Sequence, residues 1–301
     1  MRTVDLPAKV FEEEGRRVEE TFVETCDWLK SLNLFPRSNR YESYLALFED
    51  FRLGRARLMD SENGLQKYIN ATAEATELIR IRRSLKHADS ENFVRQLQKI
   101  TSGRAFKNTV GADPGRDFAF ELSIASRFLL AGHPVESGSL ADVVAVVGRH
   151  KIYVECKRIQ SPGKFIRRIG DAAKQANLRL ASSPSSLSRS LVAVRVTEVL
   201  NPEARHAVLP TAEQFKVTSN TALQAFITAH EDQLKEKIQK KQLGIFLENS
   251  LHGVVYDTKK QDDVPKFINC RGAAIFYQSL GAQDEALVSS FAPGLANQEV
   301  V

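Results

Sequence analysis

The chain has 301 residues, of which 43% are hydrophobic and 26% are charged, and its formal net charge is +5. This length and composition fit a globular protein, and we predict two domains rather than one. No apolar run reaches the roughly eighteen residues that a membrane span needs, and the acidic segment from Met1 to Glu20 lacks the apolar core of a signal peptide. We therefore exclude membrane contact and expect a cytoplasmic protein.

Cysteine and histidine residues are few and scattered. Cys26, Cys156 and Cys270 include no Cys-x-x-Cys pair, and none of the six histidines has a partner four residues away. Disulfide frameworks, structural zinc sites and metalloprotease helices all depend on closer or more regular spacings. The sequence therefore fits a reducing compartment and suggests no zinc site.

Residues 1–108 are rich in Glu, Arg, Leu and Ala and contain proline only at Pro7 and Pro36. Proline-poor segments of this composition are typical of helices. We predict a separate α-helical domain over 1–108 for recognition, regulation or oligomerisation, with a homodimer or another protein as its partner. Six arginines there are interpreted as a solvated face rather than a binding face: Arg52, Arg55, Arg57, Arg80, Arg82 and Arg83.

The segment 117–130 predicts a helix with an acidic residue on its apolar side. At about 100° per residue, Glu121 falls beside Phe128, whereas Ser123 and Arg127 lie on the polar side. Burying an unpaired carboxylate is costly, so Glu121 should be neutral or have a partner such as a metal ion. We interpret Glu121 as part of a functional site.

Two β-branched runs flank a short polar connection at 148–151 and predict a β-hairpin. If the connection closes symmetrically, Asp142 lies opposite Lys157, and Val144 lies opposite Glu155. Because side chains alternate across a strand, the three charged residues share one face. Opposed residues lie about 5 Å apart, so Asp142 and Glu155 could hold one cation beside Lys157.

The segment 166–180 predicts a helix that carries Gln175, and 191–197 predicts a strand. With the preceding helix and hairpin, these elements give an αββαβ order, which indicates an α/β fold with a mixed sheet flanked by helices. Four further features are expected: a helix over 219–241, two short strands at 252–257 and 272–278, and a mobile tail at 292–301.

Basic residues concentrate around the hairpin. Residues 149–189 contain ten Lys or Arg against two acidic residues. A basic surface beside an acidic cluster would hold a phosphate backbone, with a steep dependence on salt. The residues predicted to contact nucleic acid are Arg158, Lys164, Arg167, Arg168, Lys174 and Arg179.

A helix with Glu121, a strand with Asp142 and a strand ending in Glu155-Cys156-Lys157 resemble, in this order, the PD-(D/E)xK nuclease superfamily. The resemblance covers roughly residues 111–200 and implies a restriction-endonuclease-like domain over 109–301, behind the helical domain. Ala141 stands where the family has proline.

The resemblance also implies roles for these residues. Asp142 and Glu155 would bind Mg²⁺, with Mn²⁺ as a substitute, and Glu121 would bind a second ion or a metal-bound water. Lys157 would orient or deprotonate the attacking water. One branch of the family adds a glutamine that corresponds to Gln175, although its accompanying tyrosine is Arg179 here.

The leading hypothesis is a Mg²⁺-dependent nuclease that hydrolyses phosphodiester bonds, with DNA as the expected substrate. The main alternative is a catalytically inactive nucleic-acid-binding module of the same fold, and a protein-interaction adaptor is a third. A purely structural interpretation also exists, in which Asp142 caps a strand, Glu155 and Lys157 form an exposed ion pair, and Glu121 pairs with an arginine such as Arg195.

Overall fold

The computed structural model describes residues 2–13, 15–55, 63–86, 91–103, 105, 113–136, 142–183, 185–255, 266–277 and 281–296. Residues 297–301 of the predicted mobile tail lie outside these ranges. None of the described helices is both long enough and apolar enough to cross a lipid bilayer.

The described residues form ten α-helices and eight β-strands. The helices are α1 (Gly15–Ser31), α2 (Arg40–Arg52), α3 (Gly64–Leu85), α4 (Glu91–Ile100), α5 (Pro114–Leu130), α6 (Phe165–Ala181), α7 (Thr197–Leu200), α8 (Ala212–Ala229), α9 (Glu231–Lys235) and α10 (Ala282–Ala296). The strands are β1 (Arg2–Glu13), β2 (Val135–Glu136), β3 (Val143–Val147), β4 (His150–Arg158), β5 (Arg189–Arg195), β6 (Ala207–Leu209), β7 (Gln242–Val255) and β8 (Lys266–Tyr277).

All eight strands belong to one mixed sheet with the order β1-β8-β7-β5-β4-β3-β2, and β6 pairs with β7. Strands β4, β5 and β7 are parallel neighbours, whereas β3 and β2 on one side and β8 and β1 on the other are antiparallel. Parallel neighbours need a crossover connection, which α6 supplies between β4 and β5. The α/β class is therefore confirmed, and the chain order α5-β3-β4-α6-β5 is the predicted αββαβ order with the short β2 inserted.

Helices cover both faces of this sheet. Phe120 and Phe128 of α5 and Phe291 of α10 pack with one face, in a core that includes Ile152 and Val154 of β4. On the opposite face, helices α6, α8 and α9 share a core with β5 and β7. The sheet is thus the middle layer between two layers of helices, and β4, which carries Glu155 and Lys157, lies within it.

The N-terminal segment differs from the all-α prediction. Residues 2–13 form β1, which pairs with β8 at the edge of the sheet, so the segment 1–108 is not purely helical. Helices α1 to α4 then form a core that also contains Ala119 and Leu122 of α5. The boundary predicted at residue 108 therefore does not separate two independent cores, because α5 contributes to both the helical layer and the sheet layer.

The C-terminal elements also differ from their predicted bounds. The long helix predicted over 219–241 is interrupted at His230, whose ring Nδ1 lies 2.9 Å from the carbonyl oxygen of Phe226 and whose φ and ψ are −114° and 12°. Helix α10 runs to Ala296, inside the segment predicted to be mobile.

Candidate active site

The hairpin that carries the acidic residues is tighter than the symmetric loop we predicted. Val143 pairs with Val154, and Val147 pairs with His150, so only two residues form the turn. The first of these, Gly148, has a φ of +56°, a conformation that glycine adopts without strain. Asp142 therefore lies opposite Glu155 rather than Lys157. Because the register differs by two residues, every side chain keeps its predicted face.

Glu155 is the most buried acidic residue of the hairpin, with 2% of its surface exposed. Its Oε2 lies 3.9 Å from Lys157 Nζ, and its Oε1 lies 3.6 Å from Arg179 Nε. Oε1 is buried and accepts no hydrogen bond from any described residue. The interpretation of Glu155 and Lys157 as an exposed ion pair is therefore wrong.

Asp142 is fixed against the neighbouring strand by a backbone contact. Its Oδ2 accepts a hydrogen bond of 2.8 Å from the backbone N–H of Cys156. The Cys156 side chain itself belongs to the core on the α5 side. This bond places a carboxylate beside Glu155 although Asp142 precedes the first residue of β3.

The pKa values reflect a local excess of negative charge. Burial, together with the Asp142 carboxylate, raises the pKa of Glu155 to about 7, while Lys157 and Arg179 oppose the increase. Burial, and again Asp142, raises the pKa of Glu121 to about 8. Glu121 therefore shares the electrostatic environment of the hairpin, as its position on the predicted helix indicated, and no arginine among the described residues pairs with it.

A cleft of about 390 Å³ opens beside these residues. Glu121 and Lys157 line it, together with the basic residues Lys164 and Arg168. Asp142 and Glu155 are not part of this lining, but Lys157 connects the cleft to Glu155. The cleft thus combines acidic and basic groups at the end of β4.

The other predicted nucleic-acid contacts have different environments. Arg167 and Lys174 are exposed on α6, and Gln175 is exposed with no side-chain hydrogen bond to a described residue. Arg158 is not available for a phosphate, because its buried guanidinium donates to Asp117 at 3.1 Å and to Glu198 at 2.7 Å. Arg179 is partly exposed but approaches Glu155.

Two residues near the cleft were missed in the sequence. Asp117 lines the cleft and binds Arg158. Lys99 of α4 lies 4.3 Å from the centroid of the Phe118 ring, and its charge partly counteracts the raised pKa of Glu121. No local pattern could have identified Lys99, because its position depends on how α4 packs against α5.

No protein-family model, curated protein or solved structure matches this chain significantly. The chemistry of the cleft is therefore the basis for any functional proposal.

Proposed function

We propose that this protein is a metal-dependent nuclease that hydrolyses phosphodiester bonds of nucleic acid, with DNA as the expected substrate. The observation that carries this proposal is the convergence of Glu121, Asp142 and Glu155 with Lys157 beside a cleft lined by further basic residues. Acids with raised pKa values in a cleft, here Glu121 and Glu155, are typical of catalytic and metal-binding sites. The PD-(D/E)xK resemblance assigns the same four residues to catalysis.

The donor set suits a hard divalent cation. Mg²⁺ is usually bound through one or two carboxylates together with substrate phosphates and waters. Asp142 and Glu155 would supply these two carboxylates. The buried Oε1 of Glu155 accepts no hydrogen bond from a described residue, so a bound cation would give this oxygen a partner. Among the described residues no group of three or more His, Cys, Asp or Glu side chains is arranged to hold a metal ion. Glu121 is therefore assigned to the substrate side of the site rather than to direct coordination in this conformation.

The chain's own groups can then perform the remaining tasks. A bound divalent cation would polarise the phosphodiester and lower the pKa of a coordinated water. Lys157 Nζ, 3.9 Å from Glu155, would orient the attacking water and stabilise negative charge on the phosphate. The Glu121 carboxyl has a pKa near neutral pH without a cation, which suits it to accept a proton from water in the cleft. Lys164 and Arg168 would bind the phosphate backbone of the nucleic acid.

One observation favours the alternative of an inactive binding module. The Arg179 guanidinium lies 3.6 Å from Glu155 and already offsets part of its negative charge. If this ion pair persisted with substrate bound, the basic surface would bind nucleic acid without cleavage. The nuclease proposal requires Arg179, which is 43% exposed, to release Glu155.

The test is incubation of the purified protein with linear, circular and single-stranded DNA and with RNA, in Mg²⁺, Mn²⁺ and EDTA. Asp142→Asn is the matched variant, since an amide oxygen can still accept the hydrogen bond from Cys156. We expect metal-dependent cleavage that this variant loses and a Mg²⁺-induced rise in Tm that it also loses. Binding in EDTA with no cleavage in any metal would favour the inactive module, and neither binding nor cleavage would favour an adaptor.

A further inference from the structure

A second cavity, of about 70 Å³, lies between α3 and the sheet. We call it the arginine cavity, because five arginines contribute to its lining against three glutamates: Arg80, Arg116, Arg158, Arg195 and Arg271, with Glu74, Glu77 and Glu198. It is distinct from the catalytic cleft, although Arg158 lines both. The sequence interpretation of Arg80 as part of a solvated face is wrong, since only 3% of its surface is exposed.

Most charges around the arginine cavity are already paired. The fully buried Glu248 accepts hydrogen bonds from Arg127, Arg195 and Arg271, at 2.7 to 3.1 Å. Arg195 also donates to Glu77 at 2.5 Å. At the cavity wall, Glu74 pairs with Arg116 and Glu198 pairs with Arg158. Each of the three lining glutamates therefore has an arginine partner, and the lining contains two more arginines than glutamates.

Several buried polar atoms at this wall make no hydrogen bond to a described residue, and one of them is Oε2 of Glu74, which lies 3.7 Å from Nη1 of Arg40. Nη1 of Arg271 and Oδ1 of Asn269 make no hydrogen bond to any described residue, although the two side chains are only 6% and 7% exposed. They lie two residues apart on β8 and therefore project to the same face. Buried polar groups in folded proteins are nearly always satisfied, by protein, water or an ion. The cavity beside them is therefore where such a partner would bind.

The electrostatics of the neighbouring arginines indicate the sign of that partner. Burial, followed by repulsion from Arg271, lowers the pKa of Arg80 well below its usual value and that of Arg127 to about 10. Guanidinium groups nevertheless remain charged in proteins. Glu77 and Glu248 offset part of the repulsion at Arg80, and Glu248 does so at Arg127. An anion in the cavity would offset more of it.

We propose that the arginine cavity binds a small tetrahedral oxoanion of the phosphate or sulfate class. Arg271 Nη1 would donate to it, and Asn269 would present its amide NH₂ after a half rotation about the terminal bond. A single water needs about 10–15 Å³, so a cavity of about 70 Å³ accommodates an anion of this size and excludes a nucleotide. This proposal does not depend on the nuclease activity.

The experiment is calorimetric titration of the full-length protein with inorganic phosphate, in EDTA and at an ionic strength held constant with chloride. Sulfate and a nucleoside monophosphate are separate arms. We expect phosphate and sulfate to bind at one site and the nucleotide not to bind there. Arg271→Lys keeps a cation near Glu248 but removes the unpaired Nη1, and we expect at least a tenfold loss of phosphate affinity.

Lys164→Ala and Arg168→Ala serve as controls, because phosphate held in the catalytic cleft would depend on these residues instead. Loss of phosphate binding in these variants, but not in Arg271→Lys, would overturn the proposal. So would the absence of any binding of phosphate or sulfate beyond the chloride control, which is the result expected if the cavity contains water alone.

A second variant keeps the test valid if Arg271→Lys fails to fold. Asn269→Asp places a carboxylate on the cavity wall beside Arg271 and supplies the negative charge from within the chain. We expect this variant to lose the phosphate-dependent rise in Tm, which for the unmodified protein should be about 5 °C when phosphate is about 100-fold above its Kd. An undiminished rise in Asn269→Asp would contradict the proposal.

Discussion

Glu155 occupies a position where burial opposes its ionisation and two nearby cations favour it. Burial and the adjacent Asp142 prevail, since the pKa of Glu155 rises to about 7 despite Lys157 and Arg179. In the absence of a cation, the site therefore takes up protons near neutral pH. A divalent cation would have to displace those protons, so its affinity should increase with pH.

The raised pKa values of Glu121 and Glu155 predict a stability that depends on pH. Both values exceed the ordinary 4.5 of an unfolded chain, so the folded protein binds more protons between about pH 4.5 and 8. In EDTA the free energy of unfolding should therefore fall as pH rises through this window. Because a tenfold change in an acid constant corresponds to about 1.4 kcal/mol, we expect a loss on the order of several kcal/mol.

Urea unfolding at pH 5.5 and pH 8 measures this difference. The double variant Glu121→Gln, Glu155→Gln should lose most of it, and Mg²⁺ should restore stability at pH 8 in the unmodified protein. An equal pH dependence in the double variant would show that other groups are responsible.

Lys157→Ala tests the catalytic assignment at a single residue. Lys157 lines the cleft and is only 3.9 Å from Glu155, so its removal should reduce cleavage at least about 100-fold with little loss of affinity for nucleic acid. Lys240→Ala is the matched control, because Lys240 is exposed and precedes β7 at the opposite end of the parallel strands. Equal cleavage rates for the two variants would remove Lys157 from the mechanism.

The proximity of Glu121, Asp142, Glu155 and Lys157 could be predicted because each belongs to a local pattern of strand alternation or helix periodicity, whereas Asp117 and Lys99 were missed. Ser123 and Arg127 could not be placed in this way. They form the polar side of α5, yet both are buried, since Arg127 binds Glu248 and Ser123 accepts a hydrogen bond from Arg271. Those partners lie more than a hundred residues away in the sequence, and no local pattern reveals them.

Glu248 connects several elements at once. Its carboxylate on β7 binds arginines from α5, β5 and β8, and Arg195 extends the network to Glu77 on α3. Such a network fixes the helical layer against the sheet. Burying these charges costs free energy unless all of them are paired.

Removing the Glu248 charge should therefore destabilise the whole fold. We expect Glu248→Gln to lower the free energy of unfolding by about 3–5 kcal/mol, because three buried arginines lose their common partner. Glu213→Gln breaks an exposed ion pair with Lys216 and should change stability by less than about 1 kcal/mol. Thermal unfolding of both variants checks the comparison, and a small effect at Glu248 would show that water compensates the arginines.

Among the elements, the central αββαβ order was predictable and the edges were not. The predicted hairpin register was wrong by two residues, because the prediction centred the loop between Arg149 and His150. In the structure Gly148 allows a two-residue turn at 148–149. Strand β1 was missed because its acidic end and Pro7 resemble helix or loop sequence. Its pairing depends on β8, at the far end of the chain.

At the scale of the whole molecule, α5 is the element that holds the two layers together. It contributes Phe120 and Phe128 to the sheet core and Ala119 and Leu122 to the helical core. A chain that begins at residue 109 would lack β1 and the helices α1 to α4, so Ala119 and Leu122 would be exposed. We expect it to aggregate or to unfold without cooperativity.

Circular dichroism and thermal unfolding of this truncated chain check the expectation. A chain that begins at residue 15 keeps the helical layer and should remain folded, with reduced stability, since it loses only the edge strand. Cooperative unfolding of the chain that begins at residue 109 would instead establish a separate domain, as the sequence suggested.

The pairing of β1 with β8 has a consequence for synthesis on the ribosome. Residues 2–13 are translated well before their partner strand at 266–277. At roughly 5–20 residues per second, the interval is on the order of 10–50 s. Strand β1 is thus made well before the strand that it pairs with, and its unsatisfied backbone must remain protected from other nascent chains until β8 has been translated.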